Sequence, residues 1–173
     1  MTNSINALPL TAERFARYGD VLEASVANKH SMNNARFERF SDLARIDIGP
    51  MRGGRPAVSI ARCRTATAIP YRIDMLERHP LGSQSFMPLS NFRFYVVVAP
   101  AGETVEPDTV EAFVTNGRQG INYHVGVWHM PMIATQAGQE FLVLDRAGDG
   151  EHDNRNCDEL YLDEPILLDD PAA

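Results

Sequence analysis

Through the middle of this chain no apolar pattern with the 3.6-residue helical period survives beyond about three turns. Short runs of period two take its place. Val58 and Ile60 alternate with Ser59, Ala61 and Arg62, while Phe92, Phe94, Val96 and Val98 alternate with Arg93, Tyr95 and Val97. The second run is therefore apolar on both faces. Further strands are expected at 110–114, 121–128 and 140–145, separated by the turn material Pro100-Ala101-Gly102, Asn116-Gly117 and Ala137-Gly138. This pattern excludes alternating βαβ units and predicts an antiparallel sandwich or small barrel. At 173 residues the chain has room for one domain, spanning 1–173. Thr11 is placed to cap a short helix from Ala12 to Tyr18, with Phe15 and Tyr18 on one side and Gly19 stopping it. Segments 25–36 and 146–157 read as loops, and the chain after Pro165 as a strand end followed by a frayed acidic terminus.

Charge narrows the function classes. The formal net charge is −7. From residue 151 onward Glu151, Asp153, Asp158, Glu159, Asp163, Glu164, Asp169 and Asp170 face only Arg155, so that tail accounts for the excess. With no Lys/Arg block there is no electrostatic footprint for nucleic acid. Lys29 is the single lysine among 16 bases, which leaves Schiff-base chemistry one residue to stand on. Cys63 and Cys157 are too few for a disulfide framework or a four-thiolate zinc site. No export signal and no 18-residue apolar span is visible, so a cytoplasmic protein with reduced thiols, binding neither membrane nor nucleic acid, is expected.

Reactive residues concentrate in two runs. In the run 77–88, Glu-Arg-His-Pro-Leu-Gly-Ser-Gln-Ser-Phe-Met-Pro, Glu77 and His79 share a face on a strand, and Gln84 can return from the following turn. In the run 122–131, Asn-Tyr-His-Val-Gly-Val-Trp-His-Met-Pro, a tight turn at Gly126 brings His129 into the next strand, where it can meet His79 across a barrel interior. Two imidazoles and a carboxylate suit a divalent ion such as Ni²⁺, Zn²⁺ or Mn²⁺ with positions open to substrate. Each residue also has an ordinary structural reading: a hydrogen-bonded histidine, or Glu77 paired with Arg78 or Arg72.

The two runs resemble the cupin superfamily, whose first motif is a His-x-His pair followed by Glu and whose second is Gly-x-x-His. Here the first is Glu77-x-His79-x4-Gln84, with Glu for the first His and Gln for the Glu, and the second is Gly126-Val127-Trp128-His129. A narrower resemblance covers nearly the whole chain. The strings FARYGDVLE (15–23), Asn33-Asn34, ERHPLGSQSFMPL (77–89), VVVA (96–99), AFVTNGRQGINYHVGVWHMP (112–131), FLVLDR (141–146) and Asn156-Cys157 are similar to those of the ureidoglycolate lyase family of allantoin degradation. Met130 stands where many members carry a second His.

The resemblance implies a mostly β, cupin-like double-stranded β-helix barrel, with a short N-terminal helix and flanking loops, forming a homodimer. It implies cleavage of (S)-ureidoglycolate, HO–CH(COO⁻)–NH–CO–NH₂, to glyoxylate and urea. A base must take the hydroxyl proton while an acid protonates the departing nitrogen. Glu77, His79 and His129 are the catalytic candidates, with Glu77 or His79 as base. Arg62, Arg78, Gln84, Tyr123, His124 and Trp128 are the substrate-binding candidates. A metal, Ni²⁺ or another divalent ion, would be held by Glu77, His79, Gln84 and His129 and chelate the α-hydroxy acid; without one, Arg62, Arg78 or Arg146 would grip the carboxylate. Arg146 reads equally as an ion pair with Asp145, Trp128 as core, and Asn33 and Asn34 as turn residues. An amidohydrolase releasing ammonia and a non-catalytic carboxylate-binding cupin are the competing readings.

Overall fold

The computed structural model describes residues 3–24, 29–49, 53–148 and 156–170. Strands β1 (Asn3–Asn6) and β2 (Leu8–Pro9) lead into the helix α1 (Ala12–Phe15) and β3 (Gly19–Leu22). A separate hairpin of β4 (Lys29–Met32) and β5 (Phe37–Phe40) follows, then β6 (Arg55–Arg62), β7 (Tyr71–Arg78), β8 (Gln84–Pro88) and β9 (Phe94–Ala99). The chain continues through β10 (Glu111–Val114), β11 (Gly120–Tyr123), β12 (Trp128–His129), β13 (Ile133–Ala134), β14 (Glu140–Ala147) and β15 (Asp158–Asp169).

Apart from the β4–β5 hairpin, these strands form two sheets. The larger runs β1-β15-β7-β12-β9-β10-β2, with β13 also on β9; the smaller runs β3-β11-β8-β14-β6. The ends of the larger path, β1 and β2, are separated only by Ala7, whose N–H donates to the Asp169 carbonyl, so this sheet nearly closes on itself as a barrel. The mostly β, cupin-like barrel with a short helix is thus borne out. The pairing is antiparallel except for β1 on β15 and β2 on β10, which are parallel.

The doubly apolar run predicted at 92–98 explains the architecture. All six residues of β9 are buried. Phe94, Val96 and Val98 face a core shared with Phe86, Ile121 and Phe141 of the smaller sheet, while Tyr95, Val97 and Ala99 face a second core with Ile73, Leu76, Trp128 and Ile166. Each such large side chain contributes about 1.5–3 kcal/mol on burial. Phe141 meets Phe92 and Phe94 in T-shaped contacts with ring centroids 5.0 Å apart.

Four expectations are corrected. The helix occupies only Ala12–Phe15, capped by Thr11, whose side chain accepts from the Arg14 N–H at 3.3 Å. Gly19 opens β3, where a Cβ would collide with the Asn122 carbonyl. The 25–36 loop is, over its described part, half of the β4–β5 hairpin, with Asn33 and Asn34 at φ 51° and 57° in its turn. In 146–157, β14 reaches Ala147; residues 149–155, Arg155 among them, lie outside the described residues. The chain after Pro165 is the end of the twelve-residue β15, whose register on β7 shifts between Tyr161 and Ile166, where that proline stands; the acidic terminus is not frayed at Asp170, which is buried and accepts from the Tyr95 hydroxyl at 2.8 Å.

Candidate active site

Two neighbouring strands fix the floor of the site. β12 is two residues long and lies between β7 and β9, with His129 directly opposite Glu77. Its two side chains take opposite faces: Trp128 enters the second core and His129 the first side, where the ring stacks on Tyr123 at 4.1 Å and 16°. The sequence Tyr-His-Val-Gly makes this possible. Gly126 adopts φ +75°, a conformation that favours glycine, and its N–H donates to the His79 carbonyl at 2.9 Å, tying the turn before β12 to the end of β7.

His79 follows β7, and its ring lies 5.2 Å from that of His129. Its Nδ1–H donates to the Asn156 carbonyl at 2.6 Å, and its Nε2 lies 3.1 Å from Gln84 Oε1. Gln84 opens β8 beside Tyr123, and its amide donates to Asp145 Oδ2 at 3.4 Å, which turns its carbonyl toward His79. Glu77, His79 and His129 offer donor atoms within 4.8 Å of one another, the expected convergence.

His129 is 2% exposed, and its Nδ1–H donates to the Val127 carbonyl at 3.0 Å. Burial pushes its imidazole below the ordinary value, against the pull of Glu77. Burial raises the Glu77 carboxyl, but contact with the two imidazoles and Cys157 outweighs this and holds it below its ordinary value. The neutral ring therefore presents the Nε2 lone pair to Glu77 Oε1 at 3.5 Å, and this buried nitrogen has no hydrogen-bond partner. Two Lewis bases facing each other with no proton between them leave a place for a cation. Both imidazoles donate Nδ1–H to backbone carbonyls and turn Nε2 inward, the outer arrangement usual for metal-binding histidines. With Gln84 Oε1 beside them, the donor set fits a divalent ion.

Other residues expected at the site lie elsewhere. Trp128 donates its Nε1–H to the Gly102 carbonyl at 2.9 Å on the far side of β12. Arg78 alternates away from Glu77, stacks 4.8 Å over the Trp128 ring and binds Asp158 at 2.8 Å, Glu103, and the Gly102 carbonyl. Arg62 pairs with Glu140 at 2.6 Å, at the opposite end of β14 from Asp145, about 17 Å along the strand. Arg146 is buried, its Nε donating to the Gly49 carbonyl, with Gly82 packed against its stem. His124 contacts Asp20 at 3.2 Å, as does Asn122, which places it on the outer face of the smaller sheet. There it lines a cavity of about 250 Å³ with Arg45, Asp47, Ser83 and Val125.

Cys157 and two neighbours enter from outside the expected set. The Cys157 Sγ lies 3.7 Å from Glu77 Oε2, and burial together with that carboxylate pushes its thiol up to about 11, unsuited to a nucleophile. Asp145 serves Gln84 rather than Arg146. Asn156 serves His79; its place in the Asn156-Cys157 string was the only signal the sequence offered.

A family model described as ureidoglycolate lyase matches residues 2–169. A Burkholderia mallei (strain NCTC 10229) protein named ureidoglycolate lyase is 47% identical over 95% of this chain and 92% of its own length. Proteins of the same name from Pseudomonas syringae pv. syringae (strain B728a) and Pseudomonas aeruginosa (strain LESB58) are 46% and 45% identical, covering 92% and 93% of this chain and 91% and 93% of their own. With the Glu77, His79 and His129 cluster inside the matched span, the chain belongs to the ureidoglycolate lyase family.

Proposed function

We propose that this chain is a lyase that cleaves (S)-ureidoglycolate to glyoxylate and urea. The observation that carries the reading is the convergence of Glu77, His79 and His129 within 4.8 Å, inside the span matched to the family. The reaction breaks the carbinol C–N bond. Glu77, held ionised, takes the hydroxyl proton at a carboxylate oxygen, and the released pair forms the glyoxylate carbonyl. The departing nitrogen takes a proton and leaves as neutral urea. His79 supports the donor role because its Nδ1 is committed to the Asn156 carbonyl while its Nε2 turns to the inside of the site, 3.1 Å from Gln84 Oε1. Tyr123 and His129 wall the floor against water, with Tyr123 fully buried and burial raising its phenol.

Glu77, His79, His129 and Gln84 would hold a divalent ion such as Ni²⁺, which when bound supplies Lewis acidity to the α-hydroxy carboxylate. The orphaned His129 Nε2 supports this, as does the engagement of Arg62, Arg78 and Arg146 with other partners. We place the protein in the cytoplasm, which its two free thiols support; among the described residues no helix is long and apolar enough to cross a membrane. A homodimer is supported by an apolar row on the outer face of the smaller sheet. Ile60 stands directly opposite Leu142 and Val58 opposite Leu144, and Val58, Ile60 and Leu142 are 69%, 55% and 37% exposed.

The test is to incubate purified protein with racemic ureidoglycolate, with and without chelator, and follow glyoxylate, urea and ammonia together. Glyoxylate and urea in equal amounts are expected, from half of the racemate. Ammonia in place of urea would make the chain an amidohydrolase, and no product in either arm would overturn the enzymatic reading. A rate lost with chelator and restored by Ni²⁺ assigns the cluster to metal, whereas an unchanged rate leaves Glu77 and His79 as the proton carriers.

A further inference from the structure

His79 lies one residue beyond β7, so no strand pairing orients its ring. The ladder between β15 and β7 begins with Asp158 opposite Arg78, and continuing that register sets Asn156 against Pro80. Proline has no N–H to offer, so the backbone ladder cannot extend there. Asn156 replaces it with two bonds on either side of that proline. Its carbonyl accepts the His79 Nδ1–H at 2.6 Å, and its side-chain Oδ1 accepts the Leu81 N–H at 2.8 Å. The side chain thereby clamps to the turn the same residue whose carbonyl holds the ring. With Nδ1 committed to Asn156, the other ring nitrogen, Nε2, points to Gln84 and the inside of the site.

We propose that Asn156 is the positioning residue for His79: its side-chain bond to Leu81 holds its own carbonyl against His79 Nδ1 and so aims Nε2 at the reacting atoms. The proposal deepens the lyase reading and rests on it for its kinetic consequence, but the clamp itself is a statement about one ring proton. Asn156→Ala removes the Oδ1 acceptor and leaves the carbonyl free to drift. Asn156→Asp keeps an acceptor of the same reach, so it should preserve the clamp. A residue needed only for packing or folding would not separate these two variants by the state of the His79 ring.

The experiment uses the full chain at one fixed pH and reads two quantities. The first is the downfield His79 ring N–H resonance in the ¹H–¹⁵N spectrum, assigned by its loss in His79→Gln. The second is kcat and KM for ureidoglycolate. Wild type should show the resonance and Asn156→Ala should lose it, with kcat down about 10–100-fold, the usual cost of removing an outer-shell partner, and KM within about threefold. Asn156→Asp should restore both. Persistence of the resonance in Asn156→Ala, its absence from wild type, or an Asn156→Asp variant as impaired as Asn156→Ala would overturn the proposal. A wild-type protein without turnover would sink the lyase reading instead, and the ring resonance would still judge Asn156.

Discussion

The buried ring of His129 makes stability depend on pH in a window that can be stated in advance. Burial holds the folded ring below its ordinary value of 6.5, with Glu77 opposing. Below about pH 6.5 the unfolded chain therefore binds a proton that the folded chain refuses, so stability falls as pH drops through that value and is fully present above it. Each pH unit below that value over which the folded ring stays neutral costs about 1.4 kcal/mol. For a chain of this length that is about 3–6 °C in Tm. Glu77 acts lower: with its folded carboxyl held below 4.5, its contribution is present above that value and is lost as pH falls beneath it, outside the window. The assay is thermal or denaturant unfolding of wild type and His129→Asn across the window, taking the difference between the two curves so that the many surface carboxylates cancel. Wild type should lose stability more steeply toward acid than the variant. Parallel curves would refute the argument and show that the folded ring takes its proton as readily as the unfolded one.

Two further outcomes follow from the placement of side chains. Arg78→Gln should lower stability by about 1–3 kcal/mol, because it loses the contact with Trp128 and the bonds to Asp158 and Gly102, while KM stays within about twofold. A tenfold rise in KM at unchanged Tm would return Arg78 to the substrate. Ile60→Glu should convert a dimer to monomer in sedimentation velocity, since it sets a charge in the exposed row with Leu142; a wild-type protein that sediments as a monomer at about micromolar concentration would remove the dimer.

What could be read from the sequence was parity and spacing. The run around Val96 announced a strand buried on both faces, and the glycine at 126 announced the turn that brings His129 back beside Glu77. Parity could not choose sides at β12, where both faces are buried: Trp128 and His129 are adjacent, and only the second core decides that the indole turns away from the site. Arg78 follows Trp128 for the same reason. β15 was hidden because acids occupy most of its exposed positions and the register shift between Tyr161 and Ile166 interrupts the alternation, so its two halves do not read as one strand. Nor does a sequence motif show a backbone carbonyl, which is how Asn156 and Val127 hold the two histidines.

The same geometry explains why the site has a rigid floor and a locally built rim. His129 and Tyr123 rest on strands paired on both sides, β12 between β7 and β9 and β11 between β3 and β8, with packed aromatic rings beneath them. Displacing either ring would disturb the core, so the floor has little freedom of its own. The groups around it are different. Glu77 is the penultimate residue of β7, His79 follows that strand, Gln84 begins β8 and Asn156 precedes β15, so each sits where a ladder begins or ends. Their orientation depends on single hydrogen bonds: Asn156 to His79, Asp145 to Gln84, Gly126 to the His79 carbonyl. Substitutions in the floor should therefore be felt first as lost stability, and substitutions in the rim first as lost turnover in a chain that still folds.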